Sequence, residues 1–340
     1  MVKQNVLTTY LSKLAFCATF FCLCVIVLGA FTRLIDAGLG CPDWPGCYGH
    51  FIAPLKDYTA SDNHFVNYKA WAEMIHRYFA AILSLFILCI IMIIFSQSAS
   101  RTRSNIILAV MLIALLIYQI MLGQWTVTLK LLPTIVTQHL MGGFLIASTL
   151  WTLYLINRNN TMLEKNSGHL AKLLPGAIIA VIVLFLQIML GAWASTNYAA
   201  LSCPDFPLCL NHEVVSLHIK EAFSIFSPIG INYEGGVLPT VIRQTIHMAH
   251  RLGALISTIY IIIFAAYALP KLKYSFELLK SLYITLGLLC LQLCIGISNV
   301  IFKLPLISAI AHTLVAVLLL LSLLTFVCKL VLIIRQAPTP

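Results

Sequence analysis

The chain has 340 residues, of which 61% are hydrophobic and 9% charged, where a soluble domain carries roughly 25% charged residues. That balance excludes an ordinary water-soluble enzyme, because apolar runs of membrane-crossing length recur along the whole chain. The net charge of +10 does not make it a nucleic-acid binder, since the basic residues lie in short segments between apolar runs, as membrane topology requires.

Eight spans are predicted, at 14–34, 71–95, 105–128, 136–156, 174–196, 240–268, 278–300 and 306–334, each near the roughly 20 residues that a crossing helix needs. The residues before the first span read as its approach, because the apolar run that follows is too long for a signal-peptide core. An even number of spans puts both termini on one side. Lys3, Lys13, Arg101, Arg103, Arg158, Lys165, Lys172, Lys271, Lys273, Lys280, Lys329 and Arg335 fall on that side, with only Glu164 and Glu277 as acids. By the positive-inside rule this is the cytoplasmic face of a bacterial inner membrane. The two long loops, 35–70 and 197–239, then lie outside.

The chain repeats itself. LGAFTRLIDAGLGCPDWPGC at 28–47 matches LGAWASTNYAALSCPDFPLC at 190–209 at an offset of 162. EMIHRYFAAI at 73–82 matches HMAHRLGALI at 247–256 at an offset of 174, and Gln119, Gly123, Lys130 and His139 match Gln292, Gly296, Lys303 and His312 at 173. The expected fold is therefore all-α and integral to the membrane: eight transmembrane helices as two repeated four-helix bundles, 1–160 and 170–340, related by an axis along the membrane normal. Gly29, Gly123, Gly191 and Gly296 are small enough to let helices approach closely.

Four of the ten histidines, His76, His139, His250 and His312, fall inside spans at matching places near the outer starts of even-numbered helices. Polar residues in spans usually face the bundle interior. Imidazoles on neighbouring helices can take both axial positions of one haem iron, so His76 with His139 and His250 with His312 give one candidate haem site per half. The bland alternative is interhelical hydrogen bonding. His247 is an extra candidate, but the repeat aligns His250 with His76, and each is followed by an arginine, Arg77 or Arg251. Those arginines read either as propionate partners or as snorkelling anchors of helix ends. His50, His64, His169, His212 and His218 lie in loops and read as solvent-exposed.

Glu73 shares a helical face with His76, about one turn nearer the outside, and the other half has His247 in its place. A carboxylate near a haem edge could serve as a general base or steady a developing positive charge; it could equally be an acid suited to the start of a helix. The asymmetry points to one half keeping a resident haem and the other handling substrate. Seven cysteines lie in spans and read as small apolar fillers. The pairs Cys41/Cys47 and Cys203/Cys209 lie in outer loops, each in a C-P-D-[WF]-P-x-C frame. An oxidising compartment permits disulfides there, and each pair reads as a structural staple or as a redox pair. Their spacing is unlike a zinc site.

Taken together, GLGCPDWPGCYGH at 38–50, EMIHRY at 73–78, TQHLMGG at 137–143, CPDFPLC at 203–209, NYEGG at 232–236, HMAHRLGAL at 247–255 and AHTLVA at 311–316 resemble the haem A synthase family of bacteria and mitochondria, in order and over nearly the full chain. The resemblance implies an oxidoreductase that converts the C8 methyl of haem O to a formyl group by successive hydroxylations, giving haem A. It implies haem ligation by His76, His139, His250 and His312, a haem b as cofactor, Glu73 as the family's important acid, and Cys41 with Cys47 as its outer-loop pair. Cys203 and Cys209 match a second pair found in part of the family. The implied partners are the enzyme that makes haem O and the terminal oxidase that receives haem A, with membrane lipid around the chain and no nucleic acid; monomer and homo-oligomer both stay open. The rival readings are a dihaem cytochrome b that only carries electrons, which leaves Glu73 and the cysteine pairs unexplained, and a quinone-linked membrane thiol oxidase, which leaves the four histidines unexplained.

Overall fold

The computed structural model describes residues 2–54, 68–158, 167–209 and 217–336. Its long helices are α1 (Val2–Leu34), α2 (Tyr68–Ser96), α3 (Arg103–Thr128), α4 (Pro133–Asn157), α5 (Leu174–Thr196), α6 (Thr240–Ala268), α7 (Phe276–Ile301) and α8 (Leu306–Gln336). All eight contain a stretch long and apolar enough to cross a membrane, so the chain is a multi-pass membrane protein. Among the described residues there is no strand, only a bridge between Cys47 and His50. Most helices run past the limits that hydropathy predicts. A backbone at membrane depth keeps its N–H and C=O groups paired, so a helix continues until a cap relieves it. Pro133 at the first position of α4 is such a start. His64, His212, Glu164, Lys165 and the His169 side chain lie outside what is described; His50 and His218 are exposed.

In the first half α1 packs on α2 and α4, and α3 packs on α2 and α4. In the second half α5 packs on α6 and α8 and α7 packs on α8, while α6 and α7 touch only lightly. The halves meet through α1 with α8, α4 with α5 and α4 with α8. The peripheral faces present Leu85, Met92, Ile107, Ile117, Ile182 and Ile263 outward, as a lipid-facing surface should.

The odd-numbered helices all end alike. Ala37 N–H donates to Thr32 O, Leu131 to Thr126 O, Ala199 to Ala194 O and Leu304 to Asn299 O, at 2.9, 2.8, 2.8 and 2.7 Å. This is the Schellman closure, in which the residue after the cap turns left-handed. Glycine usually fills that place, yet here it holds Asp36, Lys130, Tyr198 and Lys303, with φ of 52°, 50°, 54° and 56°. All four turns lie at the end of the molecule that carries the cysteine loops, called the disulfide end below.

At that end the halves join through residues 162 apart. Arg33 donates to Ser195 O at 2.5 Å and to Asp36 Oδ1 at 3.3 Å, and its Cζ stands 3.9 Å from the Tyr198 ring centroid. Burial holds the Tyr198 hydroxyl above its ordinary pKa, with the Arg33 cation pulling the other way. It stays protonated and donates to Asp36 at 2.7 Å. The end of the second long loop crosses onto the first half. Tyr233 N–H donates to Lys130 O at 3.1 Å, Thr134 donates to Ile225 O at 2.8 Å, and Tyr233 is buried with Leu131 and Leu132. The NYEGG segment thereby acquires local causes. Asn232 caps the Glu234 N–H at 3.0 Å, Glu234 pairs with Lys69 at 3.5 Å, and Gly235 and Gly236 carry φ of 79° and 82°. At the opposite end Asn105 and Asn157 exchange amide hydrogen bonds of 3.0 and 2.9 Å, where the second half has Lys329 with Glu277 at 2.8 Å.

Candidate functional site

Each of the four intramembrane histidines sits on a glycine of the preceding odd-numbered helix. A Cβ on Gly29 would stand 2.9 Å from His76 Cε1, on Gly191 2.9 Å from His250 Cε1, on Gly296 3.0 Å from His312 Cε1 and on Gly123 3.6 Å from His139 Cε1. The glycines are therefore seats for imidazole edges, which explains why the repeat keeps them. The His76 and His139 rings stand close and nearly perpendicular, with centroids 6.5 Å apart and planes at 80°, and Nδ1 of each is buried without a hydrogen-bond partner among the described residues. His312 Nδ1 is likewise unpaired. Nδ1 of His250 has the Gln187 amide nitrogen at 3.0 Å, and the Gln292 amide nitrogen stands 3.2 Å from His312 Nε2.

Cys41–Cys47 and Cys203–Cys209 are disulfides with Cα separations of 4.8 and 4.6 Å, each with a cis X–Pro bond inside its loop. Two side chains on the following helix hold each loop. Arg77 donates to the carbonyls of Asp43, Pro45 and Gly46 at 3.0, 3.2 and 2.5 Å and pairs with Glu73. The other Glu73 oxygen accepts from Cys41 N–H at 2.8 Å. Both oxygens of this buried carboxylate are thus occupied, as burial of a charge demands. In the second half Arg251 donates to the carbonyls of Asp205, Pro207, Leu208 and Cys203 at 2.7, 3.1, 3.1 and 2.7 Å. His247 lies between Cys203 N and Arg251 Nε, 3.3 Å from each.

Some residues therefore stand where the sequence put them and others do not. His76 and His139 come together. Glu73 and His247 occupy equivalent places, but both are turned to the disulfide loop. Arg77 and Arg251, read from the sequence as propionate partners or snorkelling anchors, are engaged with loop carbonyls. Sequence reasoning missed Lys69 and Arg243, each seven residues before the aligned histidine and matched at the same offset of 174. The signal was present, but the matched strings began four residues too late to include it.

A span-built scaffold with intramembrane histidines seated on glycines, under two stapled loops, defines a polytopic membrane protein. The comparisons with known proteins narrow that class. Residues 12–324 match the COX15-CtaA family, described as cytochrome oxidase assembly protein, and the chain belongs to that family. A heme A synthase of Shewanella oneidensis is 43% identical over 312 residues, covering 90% of this chain and 92% of the relative. Heme A synthases of Bacillus pumilus and Rickettsia felis are 25% and 24% identical, covering 89% and 91% of this chain and 89% and 95% of theirs.

Proposed function

We propose that the chain is a haem A synthase that oxidises the C8 methyl of haem O to the formyl of haem A by two hydroxylations and loss of water. On this reading the substrate lies in the unit 1–160 between His76 and His139, and a haem b lies in the unit 170–340 between His250 and His312. The observation that carries the reading is the close pair of imidazoles, His76 and His139, each seated on a glycine. A metal about 2 Å from a nitrogen of each ring sets the two centroids roughly 6 Å apart, and the rings of His76 and His139 stand at 6.5 Å. The haem b supplies one-electron redox chemistry when bound.

The chain's own residues do the rest. The four imidazoles fix the two porphyrin planes. Glu73 places a carboxyl group in the first half at a place where the second half has a histidine, one turn from His76. There it steadies positive charge, or takes up a proton, as the methyl is oxidised. The disulfides Cys41–Cys47 and Cys203–Cys209 staple the loops above both sites, and Arg77 and Arg251 pin those loops to the helices that carry His76 and His250. The disulfide end faces the periplasm of a bacterial inner membrane and both termini face the cytoplasm, in accord with the positive-inside count. Haem O arrives from the membrane enzyme that makes it, and haem A leaves for a terminal oxidase.

The test is haem extraction and chromatography from purified protein. Wild type yields haem O, haem A or the intermediate alcohol beside haem b. Glu73→Ala accumulates haem O without haem A, while its haem b spectrum stays. Undiminished haem A from Glu73→Ala removes the acid from the reaction, and haem b alone from the wild type makes the chain a plain cytochrome.

A further inference from the structure

Seven residues are nearly two helical turns. Lys69 on α2 and Arg243 on α6 therefore project from the same faces as His76 and His250, about 10 Å nearer the disulfide end. They are counterparts by position and by charge, yet their surroundings differ. Lys69 is already paired, with Glu234 of the crossing loop at 3.5 Å. Among the described residues Arg243 has only Tyr198 O at 3.4 Å and Thr240 Oγ1 at 3.5 Å, both beyond the usual 2.7–3.2 Å, and its Nε is buried with no partner among them. A guanidinium has five N–H donors, and the other guanidiniums at this end, Arg33, Arg77 and Arg251, spend theirs on carbonyls and carboxylates of the fold. Arg243 keeps a donor edge unspent in a partly desolvated place, where an unpaired cation is costly.

A haem bound between the histidines is apolar except for one edge, which carries two carboxylates. Charge is expelled from the hydrocarbon. Since the histidines lie toward the disulfide end, the carboxylate edge turns that way, and the cation two turns along the same helix face is the group it meets. We propose that Arg243 binds a carboxylate of the haem held by His250 and His312, while in the other half Glu234 competes with the substrate's carboxylate for Lys69. This rests on the ligand reading above. It gives the halves unequal grips: a free, fork-shaped donor suited to bidentate carboxylate binding where the haem stays, and a cation neutralised in advance where haem O must enter and haem A must leave.

The experiment measures haem loss to excess apomyoglobin from full-length protein in detergent, with one site left at a time. In the His76→Ala background only the second site remains; it is loaded with protohaem or with protohaem dimethyl ester, which lacks the carboxylates. Arg243→Gln is expected to speed protohaem loss about tenfold and to leave loss of the diester unchanged, with Arg243→Lys in between. Equal acceleration for both haems would mean that Arg243 only supports the fold, and no acceleration for either would mean that it binds no carboxylate; both outcomes overturn the proposal. In the His250→Ala background Glu234→Gln is expected to slow protohaem loss several-fold from the first site, and an unchanged rate overturns the competition. The ligand reading fails separately: a His250→Ala protein that keeps its second haem with an unaltered spectrum sinks it, whatever Arg243 does.

Discussion

The two disulfide loops have nearly the same shape and are held at the same points, but by different chemistry. In the first half a buried carboxylate, Glu73, accepts from Cys41 N–H and is ion-paired to the arginine that clamps the loop. In the second half His247 takes the acid's place, with a longer contact of 3.3 Å to Cys203 N. The first loop is also pressed closer to its helix. A Cβ on Gly40 would collide with the backbone of Lys69 and Ala70, whereas its counterpart, Ser202, carries one. A matching difference appears at the glutamines. Gln119 turns its amide against Gly142, in space that a Cβ there would fill. The counterpart of Gly142 is Val315, and Gln292 lies against His312 instead. At matched positions the two halves thus share their imidazoles and differ in the polar groups around them. On the reading proposed above, what distinguishes one site from the other lies in that ring of neighbours.

The glycine seats give the largest expected effect. On the reading proposed above, Gly191→Leu pushes a branched side chain into the place of His250 Cε1 and removes the second haem while leaving the first. Gly29→Leu does the reverse. Pyridine haemochrome spectra with haem extraction check both, and a Gly191→Leu protein that keeps both haems in full would show that the seat is not what orients the ring. Relief by backbone shift is expensive here, since overpacking a tight contact typically costs about 1–3 kcal/mol.

The next effect separates the two clamps. Arg77→Met strands Glu73 as a buried, unpaired carboxylate, and breaking a buried pair costs about 3–5 kcal/mol. Arg251→Met leaves only neutral carbonyls and one imidazole nitrogen, His247 Nε2, without their donor, at about 1–3 kcal/mol, and those carbonyls lie near the surface where water replaces the arginine. Thermal unfolding in detergent should therefore show a clearly larger loss for Arg77→Met. The double variant Glu73→Gln with Arg77→Met should recover much of that loss. Equal losses for the two arginine variants would mean that the carboxylate plays no part in holding its loop.

The spans, the four histidines and the disulfide frames were legible in the sequence because they are written in periodicity, offset and residue type. Sequence alone could not place Arg77 and Arg251. A guanidinium beside a histidine reads the same whether it reaches for a ligand or curls back to a loop, and that choice is made by the loop's carbonyls. The crossing loop was illegible for a related reason. Tyr233 is buried against Leu131 and Leu132 of the other half, a contact between residues about a hundred positions apart that no local pattern announces. Lys69 and Arg243 were legible in principle, as matched cations on the faces of matched histidines. Only the third dimension shows that one is paired and the other is not.

The smallest effect concerns the turns that close α3 and α7. Lys130 and Lys303 both hold the left-handed place where glycine is normal, and that conformation costs a residue with a Cβ about 1–2 kcal/mol. Glycine removes this strain but loses about 0.5–1 kcal/mol through the greater freedom of its unfolded chain, so Lys303→Gly should stabilise the fold by up to about 1.5 kcal/mol. Lys130 sits in the same strain under a roof. Its Nζ reaches Gly230 O at 3.4 Å, and its carbonyl receives the Tyr233 N–H. The first contact is lost with the side chain and the second survives, because it belongs to the backbone. Lys130→Gly should therefore gain slightly less than Lys303→Gly. If instead Lys130→Gly is strongly destabilising while Lys303→Gly is not, the lysine side chain itself anchors the crossing loop, and the two turns differ in function as well as in what lies over them.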